Sequence, residues 1–477
     1  MISIFALALL SSLAAPADKG VRLLVWSDLD GNPSPHLFAW VDSLRREADS
    51  SKHPLLALDA GDALFGSNLS FLTRGASEVR VLDLVKPDAM ILGTDDFTWT
   101  RERLDTLLGG LKVPVLTSNL RDDLADSPYG KKDFSIWDFS GLKVGVIGVL
   151  DSDLASSDRP SQIENLRSED PAERVATAQK ELRAQGADVV VVLSDAGPDA
   201  NEQLAGAVPG LDLVVGSGYA AEDTLYQVGK TWIARLASDS DRVRSVDLEL
   251  SDSGVSVVRV SAPSPKRPVA IPAAWKPVFD SLEALLKAKT DSVVGTLREP
   301  WPATRKEGYL GNFLADAIRE ESGSDIGLWP AVGIYSGLKK GKVTVGDLWK
   351  VTGPFSQVSQ FSLPGSDVRR LILHQFQHAS GFVFLSGATC TVDSSAFGGP
   401  ESRITVGGKP LQGGDYYKIA IPQSLRDDIY DLTGFSLGSA SPQYLEEWDR
   451  DLVLAHVAKS GLATTTGRVP PMYGASR

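Results

Sequence analysis

Apolar residues in the first half of this chain come in short runs that stop abruptly at glycines and acids. Met90–Leu92 runs into Gly93, Thr94, Asp95 and Asp96, and Val21–Trp26 runs into Ser27, Asp28, Asp30 and Gly31. Leu55–Leu58 runs into Asp59, Gly61 and Asp62, with Gly66 and Ser67 following. Val189–Leu193 meets Ser194, Asp195 and Gly197, and Leu211–Val215 meets Gly216, Ser217 and Gly218. Runs of this length with sharp polar ends read as buried strands handing over to loops at a sheet's C-terminal edge. The expectation is one sheet whose acids converge on one rim.

Between these strands the period changes to that of helices. Leu37–Ala48 is an amphipathic helix, Val81–Val85 ends another, and Pro171–Gln185 is a third. Phe134–Phe139 and Leu142–Leu150 predict a hairpin turning at Ser140 and Gly141. The first domain is therefore expected to be α/β, layered, with a mixed sheet over residues 18–260. Pro263, Pro265, Pro268 and Pro272 mark a linker, and Trp275–Lys289 is helical, so residues 261–291 are expected to join two domains. Residues 292–477 predict an α+β domain, with helices at Tyr309–Glu321 and Ser366–Ala379. Its expected strands are Phe382–Leu385, Ile404–Val406 and Tyr416–Ile421.

Length and charge sharpen this picture. A chain of 477 residues is too long for one ordinary core. A net charge of −13 argues against binding a nucleic acid polymer, though not against a small phosphorylated ligand. Ile2–Leu10 is almost wholly apolar and Ser12, Leu13 and Ala14 offer a small-x-small cleavage site, so residues 1–17 read as an export signal. That run is too short to span a bilayer, and the expectation is an exported protein, periplasmic or extracellular, without a transmembrane segment. Cys390 is the single cysteine, so no disulfide can form within the chain.

The rim motifs, taken in order, resemble those of the 5'-nucleotidase family, which joins a metallophosphoesterase domain to a C-terminal nucleotide-recognition domain. Asp28, Leu29, Asp30 and Gly31 stand where that family has Asp-x-His-Gly. Leu58–Asp62 with Gly66 and Ser67 is similar to its Gly-Asp-x-x-x-Gly-Ser motif. Gly93–Phe97 stands for Gly-Asn-His-Glu-Phe, Leu193–Gly197 for Leu-Ser-His-x-Gly, and Gly216–Ala220 for Gly-Gly-His-Ser-His. In the second domain Leu310–Phe313 with Ala315–Ala317 resembles a family helix. Gly341–Thr344 with Asp347 and Leu348, and Pro354–Gln357, also resemble family motifs.

The resemblance implies two divalent metals that activate a water and clamp a phosphate. On its positions only Asp28 and Asp62 keep the family's ligand type. Asp30, Asp95 and Asp195 replace His, Thr94 replaces Asn, and Gly218 and Ala220 replace the last two His. None of the five His (His36, His53, His374, His378, His456) falls on a ligand position. Asp95 takes the place of the catalytic His, and an ionised Asp cannot donate a proton to a leaving group. The candidate metal residues are Asp28, Asp30, Asp62, Asp95 and Asp195. Carboxylates favour Mg, Mn or Ca over Zn. The equal alternative is that no metal binds and these acids cap turns and helix starts.

In the second domain the resemblance implies substrate contacts at Asn312, Phe355 and Asp428. Tyr335 stands where the family has an Arg, and the late glycine motif is replaced by Arg426–Tyr430. His374 and His378 are four apart on a helix, with no third ligand suggested nearby. The expected reading is a member of this fold that has lost hydrolysis and binds or scaffolds. The alternative is a working phosphoester hydrolase of nucleotide catabolism with an Asp-rich site. The expected partners are a nucleotide or another small phosphorylated ligand, or a protein.

Overall fold

The computed structural model describes residues 20–32, 34–151, 154, 162–217, 221–237, 242–251, 254–265, 268–377, 382–393, 401–427, 429–433, 436–437 and 441–468. The chain divides into two compact units, Met1–Glu283 and Ala284–Arg477. The division falls inside the helix Lys276–Thr290.

In the first unit the rim-forming strands belong to two sheets, which corrects the expectation of one. The first sheet contains β1 (Gly20–Trp26), β2 (Leu55–Asp59), β3 (Ala89–Met90), β4 (Val115–Leu116) and β5 (Lys131–Lys132). The second contains β6 (Phe134–Phe139), β7 (Leu142–Val149), β8 (Val189–Ser194), β9 (Leu213–Gly216), β10 (Thr224–Val228) and β11 (Thr231–Arg235). β12 (Arg244–Ser251) and β13 (Gly254–Ser261) return to the first sheet. The strand orders are β13-β12-β1-β2-β3-β4-β5 and β10-β11-β9-β8-β7-β6. β1 to β5 pair in parallel, as do β7, β8, β9 and β11, while β12, β13, β10 and β6 pair antiparallel to their neighbours.

The two sheets share one core. Leu23, Val25 and Leu58 from the first pack with Val146, Val191 and Val215 from the second. Strands buried on both faces carry apolar residues at every position, so alternation cannot reveal which sheet each strand joins. The outer faces are covered by helices. α1 (Pro35–Ser51) sets Phe38 against Trp26, with ring centroids 5.9 Å apart. α2 (Asn68–Thr73), α3 (Ala76–Val85) and α4 (Arg101–Gly110) follow in the chain. α5 (Pro171–Ala184) and α6 (Pro198–Ala207) bury Val175, Leu182 and Leu204 on the second sheet. The predicted hairpin is present, with Phe139 opposite Leu142.

A second correction concerns Met90–Trp99. Only Ala89–Met90 pairs as strand, and Thr94–Thr98 is a short 3₁₀ helix. The Asp96 carboxylate accepts from Gly93 N at 3.0 Å, which caps that turn and ends the extended run.

In the second unit α7 (Tyr309–Ser322) packs on a five-stranded sheet of order β16-β14-β17-β15-β18. These strands are β14 (Ile326–Pro330), β15 (Gln357–Pro364), β16 (Val383–Ser386), β17 (Tyr416–Pro422) and β18 (Gln443–Trp448). The first, second and last were not foreseen. The helix expected from Ser366 is Gly365–Gln377, and Ala379 and His378 lie outside the described residues. α8 (Asp449–Ser460) packs against α7. Among the described residues no helix is long and apolar enough to cross a membrane.

Candidate functional site

The C-terminal ends of both sheets of the first unit meet at one rim. Ser217 Oγ, after β9, donates to Ala60 O, after β2, at 2.7 Å. Thr94 N, after β3, donates to Asp195 Oδ2, after β8, at 2.9 Å, and Thr94 Oγ1 to the same oxygen at 3.3 Å. Asp28, Asp30 and Asp62 all adopt left-handed backbone, with φ of 51°, 48° and 57°. Asp tolerates that region better than most residues, and such turns let the chain leave a strand sharply. Asp30 N donates to Asp62 O at 2.9 Å and Asp28 N to Gly61 O at 3.1 Å, so the loops after β1 and β2 hold each other.

Side chains among the five candidate acids are engaged by the protein itself. Asp62 Oδ1 accepts from Asp95 N at 2.8 Å, and Asp28 Oδ2 accepts from Ser27 Oγ at 2.5 Å. Asp195 holds the two bonds from Thr94. Gly93 is needed beside them, because a Cβ there would sit 2.2 Å from Asp62 Oδ1. Two further acids lie beneath the rim. Asp59 accepts from the Trp26 indole at 2.8 Å and from Gly61 N at 3.2 Å. Asp96 accepts from Leu64 N at 2.7 Å besides capping Gly93.

Burial dominates the electrostatics. It pushes Asp59 up to about 8 despite the Trp26 and Gly61 bonds, and Asp96 up to about 7 against its own backbone donors. Asp195 rises to about 8, first through burial and then through Asp28 and Asp96. Asp62 is held well above the ordinary carboxylate range by burial, then by Asp195 and its neighbours. Asp30 rises to about 6 through burial, then Asp28 and Asp95. These mutual effects bring all five sequence-derived candidates to one place. Asp59 and Asp96 were missed, although the Gly-x-x-Asp spacing of Gly93 and Asp96 carries a capping signal.

This donor set does not fit a two-metal centre. Among the described residues no three His, Cys, Asp or Glu side chains stand together in a way that would hold a metal ion. The Gly218–Ala220 stretch lies outside the described residues.

In the second unit Asn312 is 1% exposed, and its amide donates to Glu307 Oε1 at 3.0 Å and Thr465 O at 2.8 Å. Phe355 is 6% exposed, with the Arg450 guanidinium 5.2 Å from its ring and Trp448 edge-on at 5.3 Å. Both candidates are thus packed inside the unit, whereas Tyr335 is 63% exposed. Asp428 lies outside the described residues.

Comparison with known proteins places these observations. A family model for the 5'-nucleotidase C-terminal domain matches residues 291–427. A probable 5'-nucleotidase of Treponema pallidum (strain Nichols) is 33% identical over 199 residues, covering 42% of this chain and 32% of that protein. A 5'-nucleotidase of Vibrio cholerae serotype O1 is 23% identical over 443 residues, covering 80% of this chain and 78% of the relative. The matched stretches span about a third of the length of the first curated relatives. The solved structure of a putative 5'-nucleotidase from Staphylococcus aureus superposes with a TM-score of 0.71 at 17% identity, covering 95% of this chain and 98% of that one, a likeness of fold.

Proposed function

Because this chain belongs to the 5'-nucleotidase family, we propose that it keeps the family's fold while having lost two-metal hydrolysis, and that it works as an exported binding or scaffold protein. One contact carries the reading. Thr94 and Asp195, which stand on two implied ligand positions, are bonded directly to each other. Asp62 is likewise engaged by Asp95 N. Groups that would turn toward a cation are spent on holding the loops of the two sheets together. A nucleotide or another small phosphorylated molecule is the ligand class this reading retains.

A second reading has one observation in its favour. Buried acids held neutral would release their protons to a hard cation, which takes six or more oxygens. That reading is a phosphoester hydrolase using Mg, Mn or Ca at Asp28, Asp30, Asp62, Asp95 and Asp195. Calorimetric titration of the mature protein with Mn, Mg, Ca and Zn separates the two, with Asp62→Ala as control. The proposal expects no saturable heat and no phosphate release from nucleoside monophosphates. Saturable binding that disappears in Asp62→Ala, together with phosphate release, would sink it. Export is tested separately by reading the N-terminus of material recovered outside the cytoplasm, which is expected to begin after the Ala14–Ala17 region.

A further inference from the structure

The second unit carries a two-stranded sheet besides its main one, in which Val293–Leu297 pairs antiparallel with Gly341–Thr344. Thr296 stands opposite Lys342, and Leu297 opposite Gly341. Further along, Trp301 and Leu338 bond each other's backbone at 2.9 and 2.8 Å, which keeps the two segments side by side. Successive side chains of a strand point to opposite faces. Leu297 and Val343 are buried in the core of the unit, so Thr296 and Lys342 share the outer face. A register shift between Val293 and Gly295 puts Val293 opposite Thr344 and on that same face.

This outer face is cationic. Arg298 and Lys340 lie one position past the Leu297–Gly341 pair, and Lys339 is next to them in the chain. Arg298, Lys339, Lys340 and Lys342 are all exposed, and among the described residues none of the four meets a carboxylate within ion-pairing distance. Glu299 is the one acid in residues 292–306, and residues 331–346 hold none. Four unmatched cations thus stand together on one small face of a chain whose net charge is −13.

We propose that this face docks on an anionic lipid surface. Charge complementarity calls for a partner that presents several anions at once. Val293, which is 54% exposed on the same face, calls for one with apolar depth behind those anions. A bilayer of acidic phospholipids offers both, and Lys and Arg side chains suit its interface because their apolar stems can lie in it while the charged heads reach the phosphates. A bilayer meets the protein on one side only. Exposed charges more than about 8 Å away are largely screened at physiological salt, so the negative charge carried elsewhere opposes this contact little. A nucleic acid polymer instead needs a long positive track, which a face of four cations does not supply. The inference is independent of whether the rim of the first unit hydrolyses anything.

Co-sedimentation of the mature protein with vesicles tests this, residues 1–17 being left out so that their apolar run contributes nothing. Vesicles of equal parts phosphatidylcholine and phosphatidylglycerol should carry the protein down, vesicles of phosphatidylcholine alone should not, and added salt should release it. Each cation is worth about fivefold in partitioning, so Lys340→Gln with Lys342→Gln should lower it on the order of twentyfold. Lys180→Gln with Lys230→Gln, two exposed lysines of the first unit, should leave it unchanged. Val293→Ser should weaken binding less than the lysine pair does. Equal sedimentation with both vesicle types overturns the proposal, as does an equal loss in the two lysine pairs. Retention on immobilised polyglutamate without vesicle binding, abolished by Lys340→Gln with Lys342→Gln, assigns the face to an acidic protein and overturns it too.

Discussion

Two settings for a buried carboxyl group can be compared, one taken from each unit, although Asp449 of the second unit is itself pushed up to about 7 by burial. In the second, Asp316 is met by Arg468, whose Nη1 and Nη2 lie 2.8 and 2.7 Å from its two oxygens, and by Ser386 and Thr464. Burial alone would raise it, yet these donors hold Asp316 below the ordinary carboxylate range. In the first unit Asp59, Asp96 and Asp195 are buried with backbone, hydroxyl and indole donors and, among the described residues, no cationic partner, and all three are pushed up. Glu78 behaves alike: it is 2% exposed, accepts among the described side chains from Ser77 Oγ, and rises to about 8 through burial. A buried acid stays ionised where a guanidinium reaches it and keeps its proton where only neutral donors do.

The largest way to break this comparison is to take the cation away. Arg468→Met leaves Asp316 buried without its counter-charge and should cost about 3–5 kcal/mol, read as a fall in urea midpoint. An unchanged midpoint would mean Asp316 can shed its charge or reach water. Next comes packing at the rim. Gly93→Ala drives a methyl into Asp62 Oδ1 and should cost on the order of 2 kcal/mol through displacement of that loop.

The pH dependence sharpens the contrast, because its sign differs between Glu78 and Asp316. Glu78 has a folded pKa above its unfolded one, so the folded state holds a proton the unfolded state releases. Its contribution is complete below the unfolded value of 4.5 and is lost as pH rises through about 8. Asp316 has the reverse sign, with stability present above the unfolded value of 3.8 and lost as pH falls through its lowered folded value. Glu78→Gln keeps an acceptor for Ser77 and should raise stability at pH 8 by on the order of 2 kcal/mol while changing little at pH 4. Urea melts of parent and variant at both pH values check this. An equal effect at both would assign the gain to packing. The smallest change is Thr94→Ala, which loses only the 3.3 Å hydroxyl bond and should cost about 0.5 kcal/mol. A much larger loss would mean that the hydroxyl bond carries more of the junction between the two sheets than its 3.3 Å length implies.

Much of the fold was readable because local rules act over a few residues. The Pro171 start, the Ser140–Gly141 turn and the helix at Tyr309 follow from caps, turn residues and period. β14, β15 and β18 were not readable. β14 is short and uninterrupted in its burial, and β15 mixes Gln357, Ser359 and Gln360 with apolar residues. Of the site, the acids at strand ends were visible as Asp28, Asp30, Asp62, Asp95 and Asp195. Their occupation by protein donors was not, because Thr94 and Asp195 are separated by 101 positions. The packing of Asn312 and Phe355 was not legible for the same reason: Thr465 and Arg450, which they meet, are far along the chain.

The sequence by itself determined where strands stop and where acids follow, because the change from apolar to polar is written residue by residue. It also determined the family, since those stops come in a recognisable order. Only the tertiary structure decided that the strands divide between two sheets, and that the acids of one rim keep their protons while Asp316 gives its up. Both outcomes depend on which groups meet across long separations, and the free energy of a buried charge is set by those neighbours and not by its own position in the chain.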